Sequence, residues 1–179
     1  MYKERGDANY CLSNYKDAID DYDRFIKDPK TKRLIENLTF HPTTDFCDYF
    51  HDAYCSRGDS KLKMQDYKGA KTDFFRATYL ILEKKHRYKN ANAFLGIGKA
   101  FYYMDDYYEA IQYINRAIKL DLLLHDAYFF VGLISFECEK YNDALSYFTK
   151  ALNLKPSNKS YLQFKMITNY KLNNLIKNN

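Results

Sequence analysis

The sequence predicts an all-α fold of stacked helix–turn–helix units, and three observations carry that prediction. Only three prolines and six glycines interrupt 179 residues, and no strand-like alternation stands out. Between Ala91 and Pro156 one pattern occurs twice: Ala93-Phe94, Gly98, Tyr107, Ala110-Ile111 and Arg116-Ala117-Ile118 recur as Ala127-Tyr128, Gly132, Tyr141, Ala144-Leu145 and Lys150-Ala151-Leu152. Each position returns 34 residues later, for instance 141 minus 107, a period expected of a repeated helix pair.

The same ruler extends toward the N-terminus. Tyr2, Gly6, Tyr15, Ala18-Ile19, Tyr22 and Phe25-Ile26 fill a first copy that lacks its opening positions. The chain thus opens inside a first helix, as expected of a piece of a longer protein or of a repeat without its N-terminal flank. Phe25 stands where the other copies have Ala, so it should push the helices apart or be covered by the following segment. From Tyr15 to Tyr67 is 52, which places an insertion within residues 31–50. Lys32 to Leu38 can prolong the preceding helix, His41-Pro42 should stop it, and Thr43 or Thr44 can cap the next. Tyr54, Gly58, Tyr67, Ala70, Phe74-Phe75 and Ala77 form the second copy, and Leu80 to Lys85 reads as one or two added turns. After Pro156, a last helix over Lys159 to Lys177 places Tyr161, Phe164 and Ile167 on one side. With no partner helix after it, it reads as a cap.

Four glycines need a reason, because each costs about 1 kcal/mol inside a helix relative to Ala. Gly6, Gly58, Gly98 and Gly132 are each answered twelve positions on by Ala18, Ala70, Ala110 or Ala144. Small residue facing small residue is the mark of close helix approach, with Tyr2, Tyr54, Phe94 and Tyr128 expected to wedge beside it. Asn14, Asp66 and Asp106 stand where second helices need N-caps.

These residues resemble the tetratricopeptide repeat. The resemblance implies a right-handed α-solenoid of four helix–turn–helix repeats, over about 1–32, 51–84, 91–124 and 125–158, with residues 159–179 as capping helix and basic tail. It also implies a concave groove, lined by the first helices, that binds a peptide or partner helix. A protein–protein interaction scaffold is the expected function.

In chaperone-tail receptors of that family, a clamp of Lys, Asn, Asn, Lys and Arg grips a C-terminal carboxylate. Here Lys3 matches the first place, but Asp7, Ser56, Asn92 and Gly96 occupy the others; starting at the second repeat gives Cys55, Asp59, Gly96, Asp126 and Phe130. Asp in place of Asn repels an incoming carboxylate, so groove binding without a clamp is the main reading. A co-chaperone with a degenerate clamp is the first alternative. The groove is expected to be acidic over Lys3, Asp7, Asp52, Ser56 and Asp59, and apolar over Leu95, Tyr102, Tyr103, Phe129, Phe130, Leu133 and Phe136. A partner, another copy of the chain or the C-terminal helix should cover the apolar half, unless these side chains are core between first helices.

Other function classes find little support. The net charge of +5 resides in Lys155, Lys159, Lys165, Lys171 and Lys177, so nucleic acid is not expected, and a helical-repeat RNA binder is the second alternative. Gly96-Ile97-Gly98 follows no strand, the four histidines lack metal-ligand spacing, and Asp20-Asp21-Asp23 reads as a solvated helix face. Neither an enzyme, a cofactor, a metal nor a small-molecule substrate is expected. No leader, no long apolar run and four scattered cysteines point to the reducing cytoplasm rather than to secretion or a membrane.

Overall fold

A computed structural model describes residues 1–30, 33, 44–80 and 89–178. Among them are nine helices and no strand: α1 Tyr2–Cys11, α2 Tyr15–Lys27, α3 Thr44–Lys63, α4 Tyr67–Leu80, α5 Lys89–Tyr102, α6 Tyr107–Leu120, α7 His125–Glu137, α8 Tyr141–Leu154 and α9 Lys159–Asn178. The helices pair as α1/α2, α3/α4, α5/α6 and α7/α8, and each pair packs on the next. α9 closes the stack against α8. The expected segments at residues 34–43 and 81–88 lie outside the described residues, as does Thr43. Among the described residues no helix is long and apolar enough to cross a membrane.

The glycines do mark close approach, but the neighbour is not the one the sequence indicated. The space over each glycine is filled by the residue sixteen positions later: Tyr22 over Gly6, Phe74 over Gly58, Ile114 over Gly98 and Phe148 over Gly132. A Cβ on Gly132 would lie 2.6 Å from the Phe148 ring. On Gly98 it would meet Ile114 at 2.5 Å and the Ala110 carbonyl oxygen at 3.1 Å, which is where two backbones come together. The four answering alanines are fully buried beside these contacts. Tyr54 and Tyr128 are buried as expected and Phe94 is partly so, but Tyr2 lies exposed at the end of the stack. Phe25 is covered from the following segment, stacking on Phe50 at 5.2 Å and meeting Tyr49 edge-on at 5.3 Å.

Every first helix ends in the same tight turn, which the sequence did not announce. Ser13, Gln65, Asp105 and Glu139 adopt left-handed backbone with φ of 62°, 63°, 59° and 59°. At each one, two amides fold back onto the helix end. Glu139 N–H bonds the Phe136 carbonyl at 3.0 Å and Lys140 N–H bonds the Ser135 carbonyl at 2.9 Å; the same pair recurs in the other three turns. This double bond satisfies carbonyls that a helix C-terminus otherwise leaves orphaned. The next helix starts at once. Asp66 and Asp106 accept from the amides of Gly69 at 2.9 Å and Glu109 at 3.2 Å, whereas Asn14 takes the N-cap place without a side-chain bond.

α9 keeps the period: Lys159 follows His125 by 34 residues, so it is placed as a fifth first helix. Its inward side carries Tyr161, Phe164 and Thr168, the last fully buried with its hydroxyl on the Phe164 carbonyl at 2.7 Å. Ile167, expected on that side, is 38% exposed. The seven-residue step from Tyr161 to Thr168 is nearly two turns, which decides the face over apolar preference.

Left-handed backbone at a residue with a Cβ is strained by about 1–2 kcal/mol. Glu139→Gly should therefore raise stability by about 0.5–1 kcal/mol, read as a higher urea midpoint at unchanged slope.

Candidate partner-binding groove

Stacking brings the first helices side by side, with α1 touching α3, α3 touching α5 and α5 touching α7. The anticipated groove residues are carried by these four helices, except Tyr103, which lies in the turn just after α5. In the acidic half, the Lys3 amine pairs with Asp7 at 2.8 Å and sits 4.9 Å over the Tyr49 ring. Asp7 also accepts from the Tyr22 hydroxyl at 2.8 Å, and burial with this bond drives the Tyr22 phenol well above its usual range. Exposed Asp52 lies 3.2 Å from the Nδ1 of His51, and Ser56 is half-buried nearby in sequence. His51 itself is buried.

Asp59 differs from the other acids. Burial pushes its carboxyl above the usual range; Lys99 and Lys63 pull it down in part, and Asp126 adds repulsion. Lys99 lies 3.7 Å from Asp126 and 5.2 Å over the Phe130 ring, so it is shared between the two acids and an aromatic face. Asp126 is raised by burial, yet the hydrogen bond from the Tyr161 hydroxyl together with Lys99 and His125 outweighs this and holds it low. Tyr161 thereby links α9 to the rim of the groove; its oxygen also lies 2.8 Å from Nδ1 of His125.

The apolar half is largely used by the chain itself. Leu95, Phe130 and Leu133 are buried within the core of α5 to α8. Phe129 is stacked on Tyr161 at 4.6 Å and flanked by Phe164 at 5.4 Å and Phe148 at 5.5 Å, so α9 covers it. Phe136 meets Tyr141 edge-on at 5.4 Å. What stays open is a tyrosine platform. Tyr103 is 45% exposed, stacks on Tyr67 at 5.1 Å and touches Tyr102, whose phenol burial pushes up to about 12.

The polar interior of the first two repeats was missed. Arg57 is buried and forks onto Asp73 at 2.8 and 2.5 Å while its remaining nitrogen reaches Asp23 at 2.5 Å; Lys61 adds 2.8 Å to Asp73. Arg5 grips Asp21 in the same way, joined by Asn9 at 3.0 Å. The solvated-face reading of Asp20-Asp21-Asp23 is thus corrected, since Asp21 is 3% exposed and Asp23 is half-buried against Arg57. The Arg5 hydrogen bond holds the Asp21 carboxyl below its usual range. A signal was present: Arg precedes Asp by sixteen in both repeats, at the places that Ile97/Tyr113 and Val131/Tyr147 take in the apolar ones. Among the described residues no group of His, Cys, Asp and Glu could hold a metal ion.

Family models match the two halves of the regular stretch. A tetratricopeptide-repeat model covers residues 91–122, and the SHNi-TPR model covers residues 126–160. The chain is a tetratricopeptide-repeat protein. No curated protein matches the chain by sequence.

Solved tetratricopeptide proteins resemble it throughout. MamA from Desulfovibrio magneticus superposes with a TM-score of 0.67 at 15% identity, over 96% of this chain and 84% of that one. YrrB, described as having an unusual peptide-binding site, gives 0.60 at 20% identity over 96% and 77%. The first tetratricopeptide domain of Spaghetti (RPAP3), solved with an HSP90 peptide, gives 0.60 at 17% identity over 69% and 94%. At such identities the likeness is one of fold.

The Arg57 network supplies a direct test of how the polar repeats are built. Arg57→Ile alone should cost up to about 3–5 kcal/mol, because it leaves buried Asp73 with only Lys61 beside it and breaks the fork. Arg57→Ile with Asp73→Tyr, the pair present in the third repeat, should recover most of that loss in urea unfolding.

Proposed function

We infer that the chain is a protein–protein interaction scaffold of the cytoplasm that holds a peptide or partner helix against its first helices. The observation that carries this is the juxtaposition, along one line of helices, of the carboxylates Asp7, Asp52 and Asp59 with the open tyrosine platform at Tyr102 and Tyr103. An apolar or amphipathic segment would lie on the tyrosines, and a Lys or Arg flank would follow the carboxylates. Half-burial of Asp59, on which Lys99 and Lys63 act only through space, supports the reading, since an incoming guanidinium relieves a charge that the fold holds at a cost. Phe130 packs edge-on against both tyrosines, at 5.5 Å from Tyr102 and 6.2 Å from Tyr103. Free thiols at Cys11, Cys55 and Cys138 accord with a reducing location.

A second reading has its own support. Lys3 stands at the opening place of a carboxylate clamp, and the Spaghetti domain was solved with the HSP90 peptide SRMEEVD. Against it, Asp7 already holds the Lys3 amine and would repel a terminal carboxylate, and Gly96 offers no side chain where the clamp has Arg.

Fluorescence anisotropy with two labelled peptides separates these readings. A peptide with an apolar helical segment and an Arg-rich flank should bind, and Tyr103→Asp or Asp59→Asn should weaken it by about tenfold or more. Asp59→Asn should also raise stability at neutral pH, because the folded state then no longer carries a carboxylate whose charged form burial disfavours. Unchanged affinity in well-folded variants would remove the main reading. Binding of SRMEEVD that is lost on Lys3→Ala would establish the second in its place.

A further inference from the structure

The outer side of α9 is apolar and uncovered, and the repeat register shows what shape it lacks. In all four repeats the side of the first helix marked by glycine is roofed by its second helix, through Tyr22, Phe74, Ile114 or Phe148. Counting 34 from Gly132 gives Met166, so the corresponding side of α9 runs through Leu162, Met166 and Tyr170. These are 50%, 63% and 67% exposed and spaced four residues apart, one row along a helix. The inward side is occupied by α7 and α8, and α9 is still helical at 175, where the register would start a fifth second helix, so among the described residues nothing fills that place.

Charge identifies the occupant. Lys159 and Lys177 are eighteen residues apart, five full turns, so they stand on one side of α9 at the two ends of the apolar row. Both are exposed, and residues 155–179 contain no Asp or Glu. Two copies of α9 laid together would bring like charges into register, which disfavours this helix as its own partner. Met166 in the place of glycine also forbids the near approach that Phe148 makes to Gly132; a flexible thioether accepts a helix at wider spacing that carries a small side chain opposite it.

We propose that α9 docks an acidic amphipathic helix of a partner protein in the place of a fifth second helix. That helix carries an apolar row, with a small residue at its centre, and carboxylates at both ends to meet Lys159 and Lys177. The site is separate from the groove, so the chain can hold two segments at once.

The test uses the whole chain and a labelled amphipathic helical peptide about five turns long, with a Leu–Ala–Leu row and Glu at both ends. It should bind, and Met166→Glu with Tyr170→Glu should weaken it by about tenfold or more, with the circular dichroism of the chain unchanged. Lys159→Glu with Lys177→Glu should lose this peptide and gain the version with Lys at both ends. Groove variants Tyr103→Asp and Asp59→Asn should leave binding intact, so failure here is distinct from failure of the groove. No binding at about millimolar peptide, or equal binding of the Glu and Lys peptides, overturns the proposal. So does co-sedimentation with phosphatidylserine vesicles that Met166→Glu with Tyr170→Glu abolishes, which assigns the face to lipid. A concentration-dependent dimer abolished by the same variant assigns it to a second copy.

Discussion

The contact on which the remainder depends is a large side chain from each second helix lying on a glycine of the first. Tyr22, Phe74, Ile114 and Phe148 fill the space that a Cβ would take, and this fixes how near the two helices lie and at what height. Burial of such a ring contributes about 1.5–3 kcal/mol, enough to offset the roughly 1 kcal/mol that glycine costs its helix. Because the contact recurs in all four pairs, the first helices come out at matching positions and meet side by side. The groove is a consequence of pair geometry repeated.

Within that frame the two halves are built from different chemistry. Repeats one and two place Arg–Asp forks where repeats three and four place Ile97/Tyr113 and Val131/Tyr147. A buried ion pair adds little net stability against well-packed apolar residues, since desolvation offsets the attraction, but breaking one is costly. Arg57 bonds both Asp73 of its own repeat and Asp23 of the preceding one, which ties the two repeats together. The apolar half spends its aromatic residues on packing instead. Phe129 stacks under Tyr161, and Tyr103 just beyond the end of α5 remains exposed.

What could be read from the sequence follows from the physics of each signal. A strict period with glycine and alanine at fixed places made the helix pairs and their stacking legible, because only packing explains small residues there. The left-handed turns were invisible, since Ser13, Gln65, Asp105 and Glu139 are not glycine. Asp21 was misread because it sits in a run of acids; its partner Arg5 is on another helix, and composition alone cannot place them together. The tyrosine platform was named, but whether Phe129 stays open depends on which side of α9 turns inward. That side is set by Tyr161 and Thr168, against the apolar character of Ile167.

The central claim is that the aligned first helices form the surface that recognises a partner. Amide chemical-shift mapping of the whole chain during titration with the Arg-flanked amphipathic peptide addresses it directly. The account predicts that perturbations concentrate along α1, α3 and α5, around Asp7, Asp52, Asp59 and Tyr103. Perturbations confined to the second helices α2, α4, α6 and α8 would contradict it.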